Sequence, residues 1–273
     1  MKTSLINEVI IDGDMIKFEC GFAAEASFRH ICEEHGEEFD REFTPLELTT
    51  NIVDERIANI CAMFDCPPDE CMIFFSGSHN FRYEDTTLFD YKANRKDARR
   101  PIHEKNIEAY IKSKYITCQM DGYEADDALA MHLTKNPVHC VLCSRDKDMW
   151  QVPGWHYSWE LGKQTQRGPE LVGEHGYLKL EGKKLIGAGN MWFAAQLLMG
   201  DSTDNIPGIP KCGPARAYKR LKDCRNKDDL IYVICNEYGA RYGAGYEEML
   251  NQVGNCLWLR RKEDAEKWRI DNW

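Results

Sequence analysis

Residues 200–213 read GDSTDNIPGIPKCG. This stretch combines two carboxylates three residues apart, Asp201 and Asp204, with glycines and prolines that favour a loop. Helix-forming residues precede it over 190–200, and a second helical pattern over 214–221 begins with proline, a common first helical residue. The stretch therefore predicts two helices joined by a loop, with both acids at the start of that loop.

Upstream, short apolar runs end in acids. Residues 8–12 read EVIID, which predicts a buried strand with its aspartate at the carboxyl end. Residues 138–144 predict another buried strand, and Asp146 and Asp148 follow it directly. Strands that alternate with helices, such as the acid-headed helix predicted over 124–134, indicate a mostly parallel sheet covered on both faces. Sites in such sheets form beyond the carboxyl ends of the strands, where these acids lie.

The other elements fit the same α/β class. They are a helix over 46–64, a buried strand over 70–75, a helix over 107–116, hairpins within 152–186, and helices from 228 onward.

Eight carboxylates form the candidate metal-binding set. They are Asp12, Glu124, Asp126, Asp127, Asp146, Asp148, Asp201 and Asp204. Each segment alone has a structural interpretation, because acids favour the first turn of a helix and aspartate is common in loops. Brought together, the eight would repel one another unless cations neutralised them. Oxygen-rich sites select hard ions such as Mg²⁺ or Mn²⁺, and two such ions can hydrolyse a phosphodiester.

The formal net charge of −10 argues, taken alone, against a nucleic-acid partner. The eight clustered acids account for most of that charge, however. Basic charge is concentrated over residues 92–105, which hold six Lys or Arg against two acids. The charge distribution is therefore compatible with binding to a polyphosphate.

The remaining composition indicates an ordinary globular protein without a membrane span or a signal peptide. Its 12 cysteines are spread along the chain, so we expect reduced thiols and a cytoplasmic location. Cys140 and Cys143 form a CxxC, but a zinc knuckle needs a second pair at suitable spacing. We therefore interpret this CxxC as part of a buried strand.

Five motifs together resemble the 5′-nuclease (flap endonuclease) superfamily, and most closely its bacteriophage 5′–3′ exonuclease branch. They are IDGD at 11–14, FDYKANR at 89–95, YEADD at 123–127, SRDKD at 144–148 and the stretch 200–213. The resemblance covers about residues 8–225. It implies a PIN-like/5′-nuclease core with a mostly parallel sheet flanked by helices. It also implies a helical arch over about 79–115 and a C-terminal helix-three-turn-helix DNA-binding unit. Residues 1–188 are then the catalytic domain and 189–273 the helical domain.

The same resemblance assigns roles to residues. The eight acids would hold two Mg²⁺ or Mn²⁺ ions, and Lys92 and Arg95 would be catalytic at the scissile phosphate. Tyr91 would either stack on a terminal base or serve in packing. The implied DNA-binding residues are Tyr91, Lys96, Arg99, Arg100, Gly208, Ile209, Lys211 and Gly213. The hairpin of 208–213 is also a candidate K⁺ site, as in other members.

One departure concerns the second strand. The family usually has a further aspartate just after it, whereas residues 75–82 read FSGSHNFR and contain no carboxylate. Asp14 or Glu84 could replace that ligand, although we favour Asp14 as a local turn residue. The gap keeps open a DNA-binding relative that has lost catalysis.

The expected function is metal-dependent 5′–3′ exonuclease or flap endonuclease activity on DNA with 5′ ends, flaps or nicks. RNA in RNA–DNA hybrids is a further substrate that the resemblance leaves open. A PIN-like ribonuclease is a second alternative, although simple PIN nucleases lack the hairpin unit. We expect a monomer, acting in the host cytoplasm if the gene is a phage gene.

Overall fold

The computed structural model describes residues 5–95 and 98–273. Its main sheet has six strands in the order β3-β2-β1-β4-β5-β6, and a separate hairpin pairs β7 with β8. The strands are β1 Glu8–Asp12, β2 Met72–Ser76, β3 Ile116–Met120, β4 Cys140–Cys143, β5 Gly154–Ser158, β6 Arg167–Val172, β7 Tyr177–Glu181 and β8 Lys184–Ala188. The helices are α1 Gly13–His35, α2 Leu46–Ala62, α3 Phe81–Asp85, α4 Glu104–Lys114, α5 Ala125–Lys135, α6 Gly189–Met199, α7 Pro214–Leu221, α8 Lys227–Tyr242 and α9 Tyr246–Leu257.

The first five strands of the sheet run parallel, and only β6 is antiparallel to its neighbour. Alternate residues of the central strands therefore enter two different cores. Val9 and Ile11 pack with α1, α2 and α4, whereas Ile10 packs with α5 on the opposite face. This arrangement confirms the predicted mostly parallel sheet flanked by helices.

A third core is built from α6 to α9 together with β7 and β8. Phe193 of α6 is fully buried there, with Trp258, Trp268 and Trp273 at its ring edges. The helical region begins at Gly189, next to the predicted boundary, but Trp150 and Leu185 also belong to this core. The third core therefore contains side chains from both sides of the domain boundary predicted at residue 188.

Two elements differ from the sequence expectation. Residues 116–120 form the edge strand β3, which we did not predict: the helix expected over 107–116 ends at Lys114, and the strand residues are exposed or half-buried, so they form no apolar run. In the expected arch, the described part of the basic segment holds a short 3₁₀ turn, Ala93–Arg95, and irregular chain over 98–103 before α4. Ile107 and Ile111 of α4 are fully buried, so this helix is anchored to the sheet.

Among the described residues, no helix combines the length and the hydropathy that crossing a bilayer requires. The twelve cysteines are all free thiols. Cys140 and Cys143 lie in β4 on opposite faces of the sheet, which confirms the strand interpretation of the CxxC.

Candidate metal centre

Asp12 is the last residue of β1 and the N-cap of α1. One carboxylate oxygen accepts the N–H of Met15 at 3.0 Å, and the other accepts the Ser144 hydroxyl at 2.7 Å. The side chain is buried at the carboxyl edge of the sheet. Burial, followed by the negative charges of Asp14 and Asp146, raises the pKa of Asp12 to about 7. At this buried position the ionised form of the Asp12 carboxylate is favoured only when a cation lies nearby.

Glu124 and Asp126 lie at the start of α5, which begins at the same edge of the sheet. Burial and then the charges of Asp146 and Asp12 raise the pKa of Asp126 well above its ordinary value. Glu124 behaves in the opposite way. Burial raises its pKa, but Arg82 and Lys92 outweigh that effect and lower it.

Asp146 and Asp148 follow β4 in the 3₁₀ turn Lys147–Gln151, whose N-cap is Asp146. The Asp146 carboxylate accepts the Asp148 N–H at 2.8 Å, so the turn keeps both carboxylates at the strand end. Gln196 of α6 donates to Asp148 at 2.6 Å. Burial and the nearby charge of Asp146 raise the pKa of Asp148 well above its ordinary value.

Asp201 and Asp204 open the loop after α6. The Asp201 carboxylate accepts the Thr203 N–H at 2.7 Å and the Lys147 ammonium at 2.7 Å. Burial raises the pKa of Asp201, but Lys147 reverses the effect and the net shift is downward. Burial raises the pKa of Asp204 despite the nearby charges of Lys92 and Arg95.

Mutual repulsion links seven of the eight predicted acids into one cluster. Asp146 is the central member, because its charge acts on Asp12, Asp126 and Asp148. The charges of Asp201 and Asp204 in turn help to raise the pKa of Asp148. Four of these acids line a cavity of about 740 Å³, namely Asp12, Glu124, Asp126 and Asp146. Without a cation, burial of this much like charge favours protonation, so the arrangement suits divalent ions.

Asp127 is the one predicted ligand that the structure places elsewhere. Its two oxygens accept the Arg82 guanidinium at 2.6 and 2.9 Å, and one also accepts the Arg260 N–H at 2.9 Å. Arg82 and Asp127 are both fully buried. We therefore correct the prediction for Asp127: adjacent residues of a helix point in different directions, and Asp127 faces a structural ion pair rather than the cluster.

Asp14 lies in the gap left by the missing aspartate, and it is not a simple turn residue. Its carboxylate accepts the Ser76 hydroxyl at 2.5 Å and the Ser76 N–H at 3.3 Å. Asp14 and Ser76 also line the same cavity as Asp12. Gly77 has no room for a side chain, because an added Cβ would lie 2.1 Å from the Met120 carbonyl oxygen. Glu84, the other candidate replacement, is exposed on α3.

The segment 91–95 is joined to the loop 201–205 through backbone atoms. Lys92 N–H donates to the Asp204 carbonyl at 2.8 Å, and the Asn94 amide donates to the Ser202 carbonyl at 2.7 Å. Lys92 has a left-handed backbone with φ of 54°, which is costly for a lysine and is held by these contacts. Two motifs more than a hundred residues apart therefore form one wall of the site.

Lys92 and Arg95 both reach the cluster. The Lys92 ammonium pairs with Glu124 and lies 4.0 Å from Asp204, and Arg95 pairs with Asp204. Burial lowers the pKa of Lys92, but Glu124 and Asp204 outweigh it and raise that pKa. Tyr91 is buried, and its hydroxyl donates to Glu124 at 3.0 Å. Little of the Tyr91 ring remains for stacking, so the packing alternative describes it.

Two of the predicted DNA-binding residues of the basic segment, Arg99 and Arg100, lie in the part of the chain that the structure describes. Arg99 pairs with the buried Glu25 of α1, and Arg100 pairs with Glu104 at 2.7 Å, while both arginines keep more than half of their side chains exposed. Arg100 also lines the cavity above the acids. Lys96 lies outside the described residues.

The predicted hairpin connects α6 to α7. Gly208 passes so close to the end of α6 that an added Cβ would lie 2.2 Å from the Met199 carbonyl carbon. Ile209 is buried in the third core, so its side chain packs and only its backbone remains for a ligand. Lys211 and Gly213 are exposed, and Lys211 has a left-handed φ of 61°.

Sequence reasoning underestimated two residues. Arg82 is the last residue of the stretch FSGSHNFR that follows the second strand, and its contacts with Glu124 and Asp127 tie α3 to the start of α5. Ser144 belongs to the SRDKD motif, and its hydroxyl orients Asp12. Both residues lie in stretches that the sequence analysis singled out, but only the structure shows which side chains they contact.

Fold and site together define a class: an α/β protein with a carboxylate cluster of metal-binding type at the carboxyl edge of a parallel sheet, beside a helix–loop–helix unit. Residues 8–170 match the family model described as 5′-3′ exonuclease, N-terminal resolvase-like domain. The match covers more than half of the chain. The chain therefore belongs to the 5′–3′ exonuclease family.

Curated relatives agree with this assignment. A 5′-3′ exonuclease of Buchnera aphidicola subsp. Schizaphis graminum is 32% identical over 175 residues, which are 60% of this chain and 55% of the relative. DNA polymerase I of Bacillus subtilis is 28% identical over 204 residues, or 68% of this chain and 21% of the polymerase. The chain thus spans about a fifth of that polymerase.

Solved structures show the same fold. A T5 5′-exonuclease with bound zinc aligns with a TM-score of 0.57 at 20% identity, covering 92% of this chain and 88% of that one. A complex of the bacteriophage T5 flap endonuclease with DNA and metal ions aligns with a TM-score of 0.55 at 16% identity, covering 91% and 88%.

Proposed function

We propose that this chain is a metal-dependent 5′–3′ nuclease that hydrolyses phosphodiester bonds at or near the 5′ ends of DNA. The observation that carries the proposal is the convergence of seven acids from four segments on one edge of the sheet, three of them with strongly raised pKa values. A protein gains nothing in stability from such repulsion unless cations are bound. Family membership favours the same activity.

We expect the carboxylate cluster to bind two divalent ions. Asp12, Asp126 and Asp146 are suited to one ion and Asp148, Asp201 and Asp204 to another, since repulsion connects the members of each group. Every donor is a carboxylate oxygen, which suits Mg²⁺ or Mn²⁺. When bound, such ions activate water and neutralise charge on a phosphodiester.

The ligand set that we propose differs from the sequence prediction at three positions. Glu124 is left out of both ion positions, because Arg82, Lys92 and Tyr91 contact its carboxylate. Asp127 is excluded, because Arg82 occupies both of its oxygens. Asp14 is included although Lys17 pairs with one of its oxygens at 2.8 Å, because Asp14, unlike Asp127, lines the cavity and supplies a carboxylate beside Ser76 at the end of β2, where the family usually has an aspartate. The site thus keeps a negative charge near that strand end, although the charge comes from α1.

Lys92 and Arg95 have the positions of phosphate-binding cations. Both line the cavity that Asp12 also lines, and both pair with acids in the absence of substrate. A scissile phosphate that enters the cavity would exchange with Glu124 and Asp204 as their partner. Charge that builds up on the phosphate in the transition state would then be stabilised by two fixed cations.

The remaining basic groups define a path for DNA. Arg100 lines the cavity, and both Arg100 and the exposed Arg99 beside it in the chain would guide a 5′ strand toward it. Lys211, Gly213 and the basic residues of α7 form a second positive surface for the duplex, which would contact phosphates without reading sequence. We keep Lys96 as a proposed contact from the sequence alone, and K⁺ binding by the hairpin carbonyls as a further prediction.

The test is cleavage of a 5′-labelled flap and of a recessed duplex, with Mg²⁺, Mn²⁺ or EDTA. Release of short 5′-end products with metal and none with EDTA supports the proposal. Matched RNA–DNA hybrids test the RNA activity, and sedimentation tests the expected monomer. The free thiols and the DNA substrate fit a cytoplasmic location, or the host cytoplasm for a phage gene.

The lack of a carboxylate at Gly77 favours a second candidate function, that of a DNA-binding relative that does not cleave DNA. It predicts tight binding to flap DNA and no cleavage with either metal.

A further inference from the structure

Glu8, His132 and Cys140 form a second cluster of metal-ligating groups. A Glu8 carboxylate oxygen lies 2.7 Å from His132 Nε2, and one ligand atom from each of the three residues lies within 4.8 Å of the other two. Glu8 and Cys140 are direct neighbours in the β1–β4 register, and His132 lies above them on α5. The Phe74 ring packs edge-on against the imidazole, with ring centroids 5.4 Å apart, and helps to orient it.

This cluster is separate from the carboxylate centre. Glu8 and Cys140 are the first residues of β1 and β4, whereas Asp12 and Asp146 lie at or beyond the carboxyl ends of those strands. Parallel strands rise about 3.3 Å per residue, so the four residues from Glu8 to Asp12 separate the two places by roughly 13 Å. No acid of the carboxylate centre belongs to the second cluster.

The donor set has the chemistry of a zinc site. A thiolate, an imidazole nitrogen and a carboxylate oxygen are the three ligand types that Zn²⁺ accepts, with bonds of about 2.0–2.3 Å and tetrahedral geometry. Such bonds place ligand atoms roughly 3–4 Å apart. The cluster therefore needs only small side-chain rotations. Glu8 and His132 keep 33% and 25% of their side chains exposed, which leaves a route for the ion and a fourth position for water.

We propose that Glu8, His132 and Cys140 bind one zinc-type divalent ion at the amino edge of the sheet. Binding exchanges the thiol proton for the metal and releases that proton to solvent. Without the ion, burial and the neighbouring Glu8 raise the pKa of Cys140, so the thiol stays protonated. The site takes a borderline-soft ion through sulfur, which the all-oxygen carboxylate centre does not offer.

The position of the ion suggests its effect. Its three ligands lie on β1, β4 and α5, the elements that carry Asp12, Asp146 and Asp126 at their other ends. An ion here would fix these elements to one another and so hold the carboxylate centre together from the opposite edge. The expected role is structural, and the inference does not depend on nuclease activity.

The test uses Co²⁺ as a probe of sulfur ligation in the full chain, with excess Mg²⁺ to occupy the carboxylate centre. One equivalent of Co²⁺ should give a near-ultraviolet sulfur-to-cobalt charge-transfer band, and Zn²⁺ should remove it. Cys140→Ser should abolish the band. The matched control Cys118→Ser should keep it, because Cys118 packs against the same core but is not in the cluster. A missing band, or a band that survives in Cys140→Ser, overturns the proposal.

A second measurement tests the proposal even if the Cys140→Ser variant does not fold. His132→Gln should weaken Zn²⁺ affinity at least tenfold, while His30→Gln, on the exposed face of α1, should not change it. Zn²⁺ should also raise the melting temperature of the wild type but not of His132→Gln. Equal Zn²⁺ affinity in both histidine variants would show that the cluster is only a hydrogen-bonded trio.

Discussion

The carboxylate of Asp14 accepts two hydrogen bonds from Ser76, one from its hydroxyl at 2.5 Å and one from its N–H at 3.3 Å. This pair joins the first turn of α1 to the end of β2. The Ser76 hydroxyl also accepts the Ala125 N–H at 3.0 Å, which connects the pair to the start of α5. Three elements that carry site residues therefore meet at a single serine.

Exchanging the two residues tests whether Asp14 supplies the missing carboxylate. Asp14→Ser should weaken Mg²⁺ binding by roughly 10–100-fold, the usual effect of losing a group that supports a metal site. The double variant Asp14→Ser/Ser76→Asp should recover much of that loss, because the carboxylate returns from β2. Calorimetric titration of Mg²⁺ measures both. Exposed Glu84→Gln is the control, and an Asp14→Ser variant with unchanged affinity would remove Asp14 from the ligand set.

Replacing Asp146 and Asp148 by asparagine should abolish cleavage. Asp146 is the centre of the repulsion network, and the double change removes charge from both proposed ion positions. Binding to flap DNA, measured by anisotropy, should be kept or strengthened, since two charges that repel phosphate are lost. Full activity in the double variant would exclude the two-ion interpretation.

Lys92→Ala should lower kcat by about 100-fold, the order seen when one donor to a developing charge is removed. Affinity for DNA should fall far less, because one phosphate contact contributes little to an interface with many of them. Single-turnover cleavage and anisotropy separate the two quantities. Lys183→Ala, in the turn between β7 and β8, is the control for loss of one charge. Equal losses of rate and affinity would make Lys92 a docking residue only.

Neighbouring Asp126 and Asp127 should respond in opposite ways to the same change. Asp127→Asn removes the charged partner that holds the buried Arg82 through two hydrogen bonds, and it should lower the free energy of unfolding by about 3–5 kcal/mol. Asp126→Asn relieves repulsion and should raise that free energy in the absence of metal. Urea unfolding in EDTA measures both. A stable Asp127→Asn protein that has lost Mg²⁺ affinity would return Asp127 to the metal ligands.

The metal-free protein should lose stability as the pH rises from about 4 to about 7. Asp12 keeps its proton up to about pH 7 in the folded chain, whereas an unfolded aspartate loses it near pH 4. The folded state then binds more protons across this window, so its stability decreases with pH. Mg²⁺ should remove the decrease. Chemical unfolding across the window in EDTA and in Mg²⁺ tests this, and a slope of the opposite sign would contradict the burial of Asp12.

Much of the fold and of the centre followed from local patterns. The run before Asp12 and the run before Asp146 each predict a buried strand with an acid at its end, and parallel pairing brings those ends together. Spacing alone could not separate Asp126 from Asp127, because the facing element, α3 with Arg82, is distant in sequence. The edge strand β3 lacked an apolar run and was therefore missed.

The second cluster was not predictable from any motif. Cys140 belongs to a CxxC, but its partners in the cluster are Glu8 and His132 rather than Cys143. Their meeting depends on the β1–β4 register and on where α5 crosses the sheet. Neither the strand register nor the crossing point of α5 can be inferred from the spacing of residues in the sequence.

The tight packing at Gly77 also bears on how this site can change over time. With the Met120 carbonyl oxygen only 2.1 Å from any added Cβ, a carboxylate cannot be introduced at Gly77 by one substitution unless the end of β3 first moves. A lineage that carries this glycine is thus held to recruiting its negative charge from α1. Loss of Asp14 therefore could not be compensated by a new side chain at Gly77.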